Sequence, residues 1–353
     1  MHRRFPRIVD ETSYAFPVAR IRVLETRLLD EQRLERMVDA AGADEVYKIL
    51  SETEYAEAIA ACGTVLEFED MLAAELKRVY VYVGKFVPER AVLDALLIRF
   101  DFHNLKVLVK EQLLEETAES ALFAIGAEPL GALRRGVSEV LKGQDNQGDS
   151  PGSMAAVYRE AVREASRVYA VTRDARDIDI TIDGKMFESG LAFAGESRSH
   201  MLIALWQAWV DLANLKSFTR AASQGFLPEY FGKVLLAGGT VPARALLEVY
   251  SPSVDAVDSL IAFCANTAYA TLTATGLKDF KVSRSYALFE KLIDNYPLGV
   301  LRASKTISLG SEPIVTYLLA KENEIRNLRI ILVGKTNRLP ADAIRERLRD
   351  AYV

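Results

Sequence analysis

One short pattern occurs three times, at intervals close to a third of the chain, and any fold must accommodate it. It is clearest in residues 321–335 (KENEIRNLRIILVGK) and is echoed at 98–110 (IRFDFHNLKVLVK) and 208–220 (AWVDLANLKSFTR). With Asn104, Asn214 and Asn327 in register, each has an acid three residues before it: Asp101, Asp211 and Glu324. Each is followed by a leucine (Leu105, Leu215, Leu328) and then by a base: Lys106, Lys216 and Arg329. Downstream, Pro129, Pro242 and Pro340 each precede an apolar residue by four positions (Leu133, Leu246, Ile344). Such spacing marks an internal repeat, which takes precedence over local structure assignment. The expected organisation is three helical units, 1–125, 126–235 and 236–353.

On a helix, the apolar positions −2, +1, +4 and +5 around each Asn share one sector roughly 120° wide. In the third copy these are Ile325, Leu328, Ile331 and Leu332. The acid falls inside that sector, and the base lies at its far edge, where it can reach water. A carboxylate in an apolar stripe needs a cation or several N–H donors. Arg20 and Arg22, on the first helix, are the proposed ion-pair partners of Asp101.

Composition agrees with helix. Half of the 353 residues are hydrophobic, and only 11 are proline and 20 glycine. The pattern along the chain reads as helices throughout, with Pro17 in the first turn of one and Asp30 capping the next. Segment 44–61 reads as a further helix ended by Gly63. Periodicity does not distinguish strand from helix over 177–183, and 143–153 has the composition of an exposed linker. Nothing requires a sheet, so the expected class is all-α.

With 44 basic and 49 acidic residues, the chain lacks the charge of a nucleic-acid or anionic-lipid binder. Cys62 and Cys264 have no metal-type spacing and fit a reducing compartment. The N-terminus has no apolar segment of the signal-peptide kind. The uncharged run 259–277 carries Asn266 and four threonines, which favours a buried helix over a membrane span.

Sites of chemistry are absent from the pattern. Val333-Gly-Lys-Thr336 resembles the end of a phosphate loop, but Arg329 stands where the first glycine is needed and no strand precedes it. Gly334 reads instead as a helix C-cap. The acidic 179–184 segment lacks the twelfth-position Glu of a calcium loop. His2, His103 and His200 are scattered, with His103 expected at the surface. No catalytic, metal-binding or cofactor-binding residues are expected, and no nucleic-acid partner.

The ordered set of segments resembles the C subunit of the bacterial and archaeal V/A-type ATPase, which corresponds to the d subunit of the eukaryotic vacuolar proton pump. The segments are Tyr14–Glu25, Leu50–Tyr55, Asp101–Lys106, Gly310–Lys335, Leu339-Pro340 and Ile344–Leu348. The polar stretch 143–153 departs from the family pattern. The resemblance implies a funnel of three pseudo-threefold-related helical domains around a central cavity. It implies a non-catalytic rotor part, peripheral on the cytoplasmic face of the membrane, with the D and F subunits of the central shaft and the membrane rotor ring as partners. The membrane stator is a further candidate partner. In that role it links ATP synthesis or hydrolysis to proton or sodium transport. The alternatives are a stand-alone α-helical repeat adaptor and a helical enzyme with an unrecognised site.

Overall fold

The computed structural model describes residues 11–62, 64–115, 119–144, 152–253 and 255–353. Gly63 and most of the expected linker, 145–151, lie outside the described residues. Helix dominates, and no strand occurs among the described residues. In chain order the helices are α1 (Ala15–Glu25), α2 (Glu31–Asp39), α3 (Ala43–Leu50), α4 (Ala56–Ala61), α5 (Phe68–Gly84) and α6 (Arg90–Leu114). Next come α7 (Leu130–Leu141), α8 (Met154–Thr172), α9 (Ala175–Glu196), α10 (His200–Ser223), α11 (Pro228–Val234) and α12 (Ala243–Val249). The series ends with α13 (Ala256–Cys264), α14 (Ala270–Ser283), α15 (Ala287–Arg302), α16 (Glu312–Thr336) and α17 (Ala341–Arg347).

The chain forms two compact units, one of Met1–Arg90 with Asp294–Val353 and one of Ala91–Ile293. In the first, α16 is the central rod, packed by α1, α2, α3 and α5. It is buried along most of its length, all round over 313–321, where the sequence is mostly apolar, and chiefly on one face thereafter. Pro313 opens it in the first turn, where its missing N–H costs nothing. Asp30 caps α2 by accepting from Arg33 N at 2.8 Å. The 44–61 segment is two helices rather than one, because the chain turns at 51–55 to bring Tyr55 into the core.

In the second unit, α7, α8, α9 and α10 pack in succession, and α12, α13 and α14 continue the series. The ambiguous 177–183 segment lies within α9. Ile178 and Ile182, four apart, are both fully buried, and Thr181 satisfies its hydroxyl on Asp177 O at 2.7 Å. Helical spacing therefore prevails over alternation because both isoleucines face one core.

Trp206 shows how closely α9 and α10 approach. Its indole is buried, donates from Nε1 to Ala95 O at 3.1 Å, and meets Phe187 and Trp209 edge-on. A Cβ on Gly190 of α9 would lie 2.2 Å from the indole ring, so this mid-helix glycine is required by packing. Gly190→Ala is expected to destabilise the protein by about 1–3 kcal/mol, the usual cost of overpacking. It should also shift the tryptophan emission, and urea unfolding followed by fluorescence measures both.

Candidate functional site

The three motif helices are α6, α10 and α16, and the structure gives each motif residue a defined partner. All three asparagines are buried and act as local substitutes for a strand edge. Asn104 donates Nδ2 to Phe123 O at 3.0 Å and accepts from Phe123 N at 2.8 Å. Asn214 exchanges the same pair of bonds with Leu236 at 2.9 and 2.8 Å. Asn327 does so with Arg349, also at 2.9 and 2.8 Å. An amide with one acceptor and one donor at fixed separation can satisfy a whole peptide unit. Each motif helix therefore clamps the chain that returns past it. Each also exits through a left-handed residue eleven positions after the Asn: Glu115, Gly225 and Arg338, at φ 57°, 67° and 56°.

The acids are buried as well, and each is gripped by a turn and a tyrosine. Asp101 Oδ2 accepts from Ala127 N at 2.8 Å, Glu128 N at 3.2 Å and Tyr158 Oη at 2.7 Å. Asp211 Oδ2 accepts from Thr240 N, Thr240 Oγ1 and Tyr269 Oη at 2.9, 2.6 and 2.9 Å, and its Oδ1 from Val241 N at 3.0 Å. Glu324 accepts from Leu29 N, from Tyr55 Oη at 2.7 Å and from Lys321 Nζ at 2.6 Å. At the first two sites a glycine faces the acid, and a Cβ on Gly126 or Gly239 would stand 1.9 Å from the aspartate Oδ1.

The expected pairing of Asp101 with Arg20 or Arg22 is replaced by these neutral donors. Arg20 instead donates to Tyr82 Oη at 2.6 Å and lies over the rings of Phe16, Tyr82 and Phe86. Arg22 pairs with Glu25 and donates to the Lys305 and Ile307 carbonyls. Backbone N–H groups at a turn satisfy a carboxylate as well as a cation does, and residue spacing does not reveal them.

The motif bases sit at the edge of the apolar stripe. Lys106 pairs with Asp183 of α9 at 2.6 Å, and Arg329 pairs with Glu69 of α5 at 2.9 Å. Lys216 is half-buried.

The prolines are in a different register from the expected one. Pro129 and Pro242 come six residues after the clamped Phe123 and Leu236, and they cap α7 and α12. Pro340 precedes its clamped residue, Arg349, and caps α17. Counted from the motif Asn, Pro340 and the buried Ile344 match Leu227 and the buried Phe231 of α11. The counterpart of α7 and α12 at the third site is α2, near the other end of the chain. There Asp30 takes the capping position and the buried Leu34 that of Leu133 and Leu246.

The third site is also the charged one. Lys321, 3% exposed in its side chain, bridges Glu75 at 3.0 Å and Glu324 at 2.6 Å and stands 4.2 Å from the Tyr55 ring centre. Burial alone would lower the Lys321 pKa, but Glu324 and Glu75 outweigh it and hold the ammonium above its ordinary value. Arg78 completes the cluster with two bonds to Glu75, at 2.7 and 2.9 Å.

The Gly-Lys-Thr sequence has no phosphate-loop geometry. Residues 333–336 are the last turn of α16, and Gly334 is not its cap. A Cβ there would meet Ile344 at 2.6 Å, so the glycine lets α17 approach while Arg338 takes the left-handed exit. Residues 179–184 are helical, which removes the loop that calcium binding needs. His103 is half-buried rather than surface-exposed, lies 2.9 Å from Ala121 O and packs edge-on against Phe123. Burial lowers its pKa.

The tyrosines and the Lys321 cluster were missed by sequence reasoning. Tyr158 and Tyr269 follow their acids by 57 and 58 residues, a coincidence that the repeat could have exposed.

Three carboxylate-and-asparagine joints of one design define a helical-repeat scaffold. The chain belongs to the ATP synthase (C/AC39) subunit family, whose model matches residues 17–347. It is 24% identical to the C subunit of the A-type ATP synthase of Methanocaldococcus jannaschii, over 97% of this chain and 87% of that protein. It is likewise 24% identical to the C subunit of the V-type sodium ATPase of Enterococcus hirae, over 94% of this chain and 97% of that one. It is therefore a structural, non-catalytic part of an A/V-type ATPase complex, and its partners are other subunits of that complex. No helix of the described residues is long and apolar enough to cross a membrane.

Asn214→Ala is expected to cost about 2–4 kcal/mol, because Leu236 then keeps an unpaired N–H and C=O. Lys321→Met should cost about 3–5 kcal/mol by leaving Glu75 and Glu324 without their shared cation. Chemical denaturation of the two variants and the parent chain checks both.

Proposed function

We propose that this chain is a central-stalk component of the rotary complex, a socket that couples the central shaft to the membrane rotor ring. In this reading it transmits torque, so that ATP synthesis or hydrolysis is linked to proton or sodium transport. It would sit peripherally on the cytoplasmic face, with the D and F shaft subunits in its central cavity and the ring beneath it.

One observation carries the reading. The acid of each motif helix is gripped by the start of the following repeat, Asp101 by Ala127 and Tyr158, and Asp211 by Thr240 and Tyr269. The last acid, Glu324, is gripped by the start of the first repeat, at Leu29 and Tyr55. That cyclic order supports a closed, pseudo-threefold funnel of three domains. An open-ended adaptor solenoid would leave its last acid without a following repeat. The domain borders then fall in the turns at 124–128 and 237–241, between each clamped residue and the proline after it. A closed set of repeats offers a wide contact surface, which is what torque transmission requires of a part with no reaction to catalyse.

Reconstitution tests this directly. The purified chain is expected to bind both the isolated D–F shaft pair and the ring-containing membrane sector, and to restore ATP-driven ion transport to a complex depleted of it. Failure to bind either partner rules out the socket. Lys335→Ala should leave ATP turnover of the reassembled complex unchanged, whereas a loss of turnover would return the Gly-Lys-Thr segment to consideration.

A further inference from the structure

The three joints share one design but do not satisfy their carboxylates equally. Asp211 has four donors divided between its two oxygens. Asp101 has three, all on Oδ2, and its buried Oδ1 has no hydrogen-bond partner among the described residues. The bare Oδ1 reflects the turn, where the Glu128 N–H goes to Oδ2 while its counterpart Val241 N–H serves the other oxygen of Asp211. The missing fourth donor traces to one residue. Thr240 gives its acid both an N–H and a hydroxyl, whereas its counterpart Ala127 has only the N–H to give.

We propose that the joint built on Asp101 is a proton-responsive hinge, closed most tightly when the carboxyl is protonated and loosened when it is ionised. Beyond those three hydrogen bonds, no cation among the described residues offsets an anion there. No ion pair reaches Asp101 among the described residues. The titratable groups that bear on the site are Tyr158 of α8, Glu128 in the turn before α7, and Asp94 earlier on α6, which acts on Tyr158. Of the nearby cations, Lys106 is engaged by Asp183 of α9 and Arg159 of α8 by Glu139 of α7, while Arg135 of α7 lines the adjoining cavity and forms no ion pair with Asp101. Burial pushes the Asp101 carboxyl up to about 6, against the opposing pull of its Tyr158, Glu128 and Ala127 hydrogen bonds. Tyr158, which donates to the carboxyl, and Glu128 also line a cavity of about 150 Å³ with Leu105, Leu133 and Val162, so there is space beside the joint for Tyr158 to move into.

The sign follows from linkage. A carboxyl whose pKa is raised in the closed joint stabilises closure fully below its ordinary pKa of about 3.8 and loses that contribution as pH rises through about 6. The opening constant of the joint should therefore climb roughly thirtyfold between about pH 4 and pH 6 and level off above about pH 7.

Hydrogen–deuterium exchange of the full chain from pH 4 to 7.5, corrected for intrinsic exchange, tests the proposal. Peptides covering 120–130 and 154–162 report on this joint, and those covering 236–242 report on the Asp211 joint. The parent chain should show the rise at the first joint, Asp101→Asn should abolish it, and Ala127→Thr should reduce it at least tenfold by supplying the missing hydroxyl. Should Asp101→Asn fail to fold, the parent profile and Ala127→Thr still decide the question. Opening that does not depend on pH in the parent chain would overturn the proposal. So would an undiminished rise in either variant, or an equal rise at both joints that Ala127→Thr leaves unchanged. None of these outcomes depends on the rotor reading, which reconstitution tests separately.

Discussion

A carboxylate buried in the apolar stripe of a long helix is the constraint on which the rest of this fold depends. Stripped of water, the acid carries a desolvation cost that only donors at hydrogen-bond distance can offset. The backbone of its own helix offers none, because every N–H inside a helix is already committed. The donors come from a turn and a tyrosine distant along the chain, so no motif helix is satisfied by itself. An apolar side chain at the same position would bury comparable surface without caring which turn covered it. The acid therefore specifies which segment packs where, and the asparagine three residues on fixes the chain that leads there.

Local pattern revealed half of this design. The acid, asparagine and base recur because they lie on one helix, where spacing is conserved by geometry and visible along the sequence. The class, all-α, followed from the same periodicity, and the 177–183 ambiguity came down to two isoleucines on one face. The partners were hidden because they are mostly backbone groups or lie far along the chain. Phe123, Leu236 and Arg349 contribute only their peptide units, so their side chains carry no trace of the role. Arg20 and Arg22 attracted attention as cations, whereas the acid was answered by N–H groups that any residue possesses. Pro340 misled for a related reason. A proline followed four residues later by an apolar side chain marks the start of any short helix, and α11, α12 and α17 are all short helices.

The third joint explains why Glu and not Asp closes the series. At the first two sites a glycine lets the turn approach a short acid. At the third, the equivalent turn contains Leu28 and Leu29, both buried, in place of a glycine facing the acid, and the longer glutamate reaches Leu29 N. Lys321 then reaches the same carboxylate from its own helix, one turn earlier, and ties it to Glu75 of α5. The result is a joint in which full charges are added to the neutral donors Leu29 N and Tyr55 Oη.

That addition of charge to the neutral contacts follows from topology. At the first two joints the gripping turn follows its motif helix along the chain, so closing the contact costs the entropy of a loop of a few tens of residues. At the third, the turn and the helix are separated by nearly the whole sequence, and the closure entropy is larger, though only logarithmically so. The surface pairs that also cross this seam, Arg345 with Glu35 and Asp39 and Arg329 with Glu69, are partly exposed and contribute little each. The buried cluster is different in kind, because its one fully buried cation serves two carboxylates, and removing Lys321 leaves Glu324 as an uncompensated charge in the core. Its value lies less in net stability than in making every partly formed seam unfavourable. A chain whose two ends must find each other, and no other surface, is best closed by a contact that tolerates no half-measure.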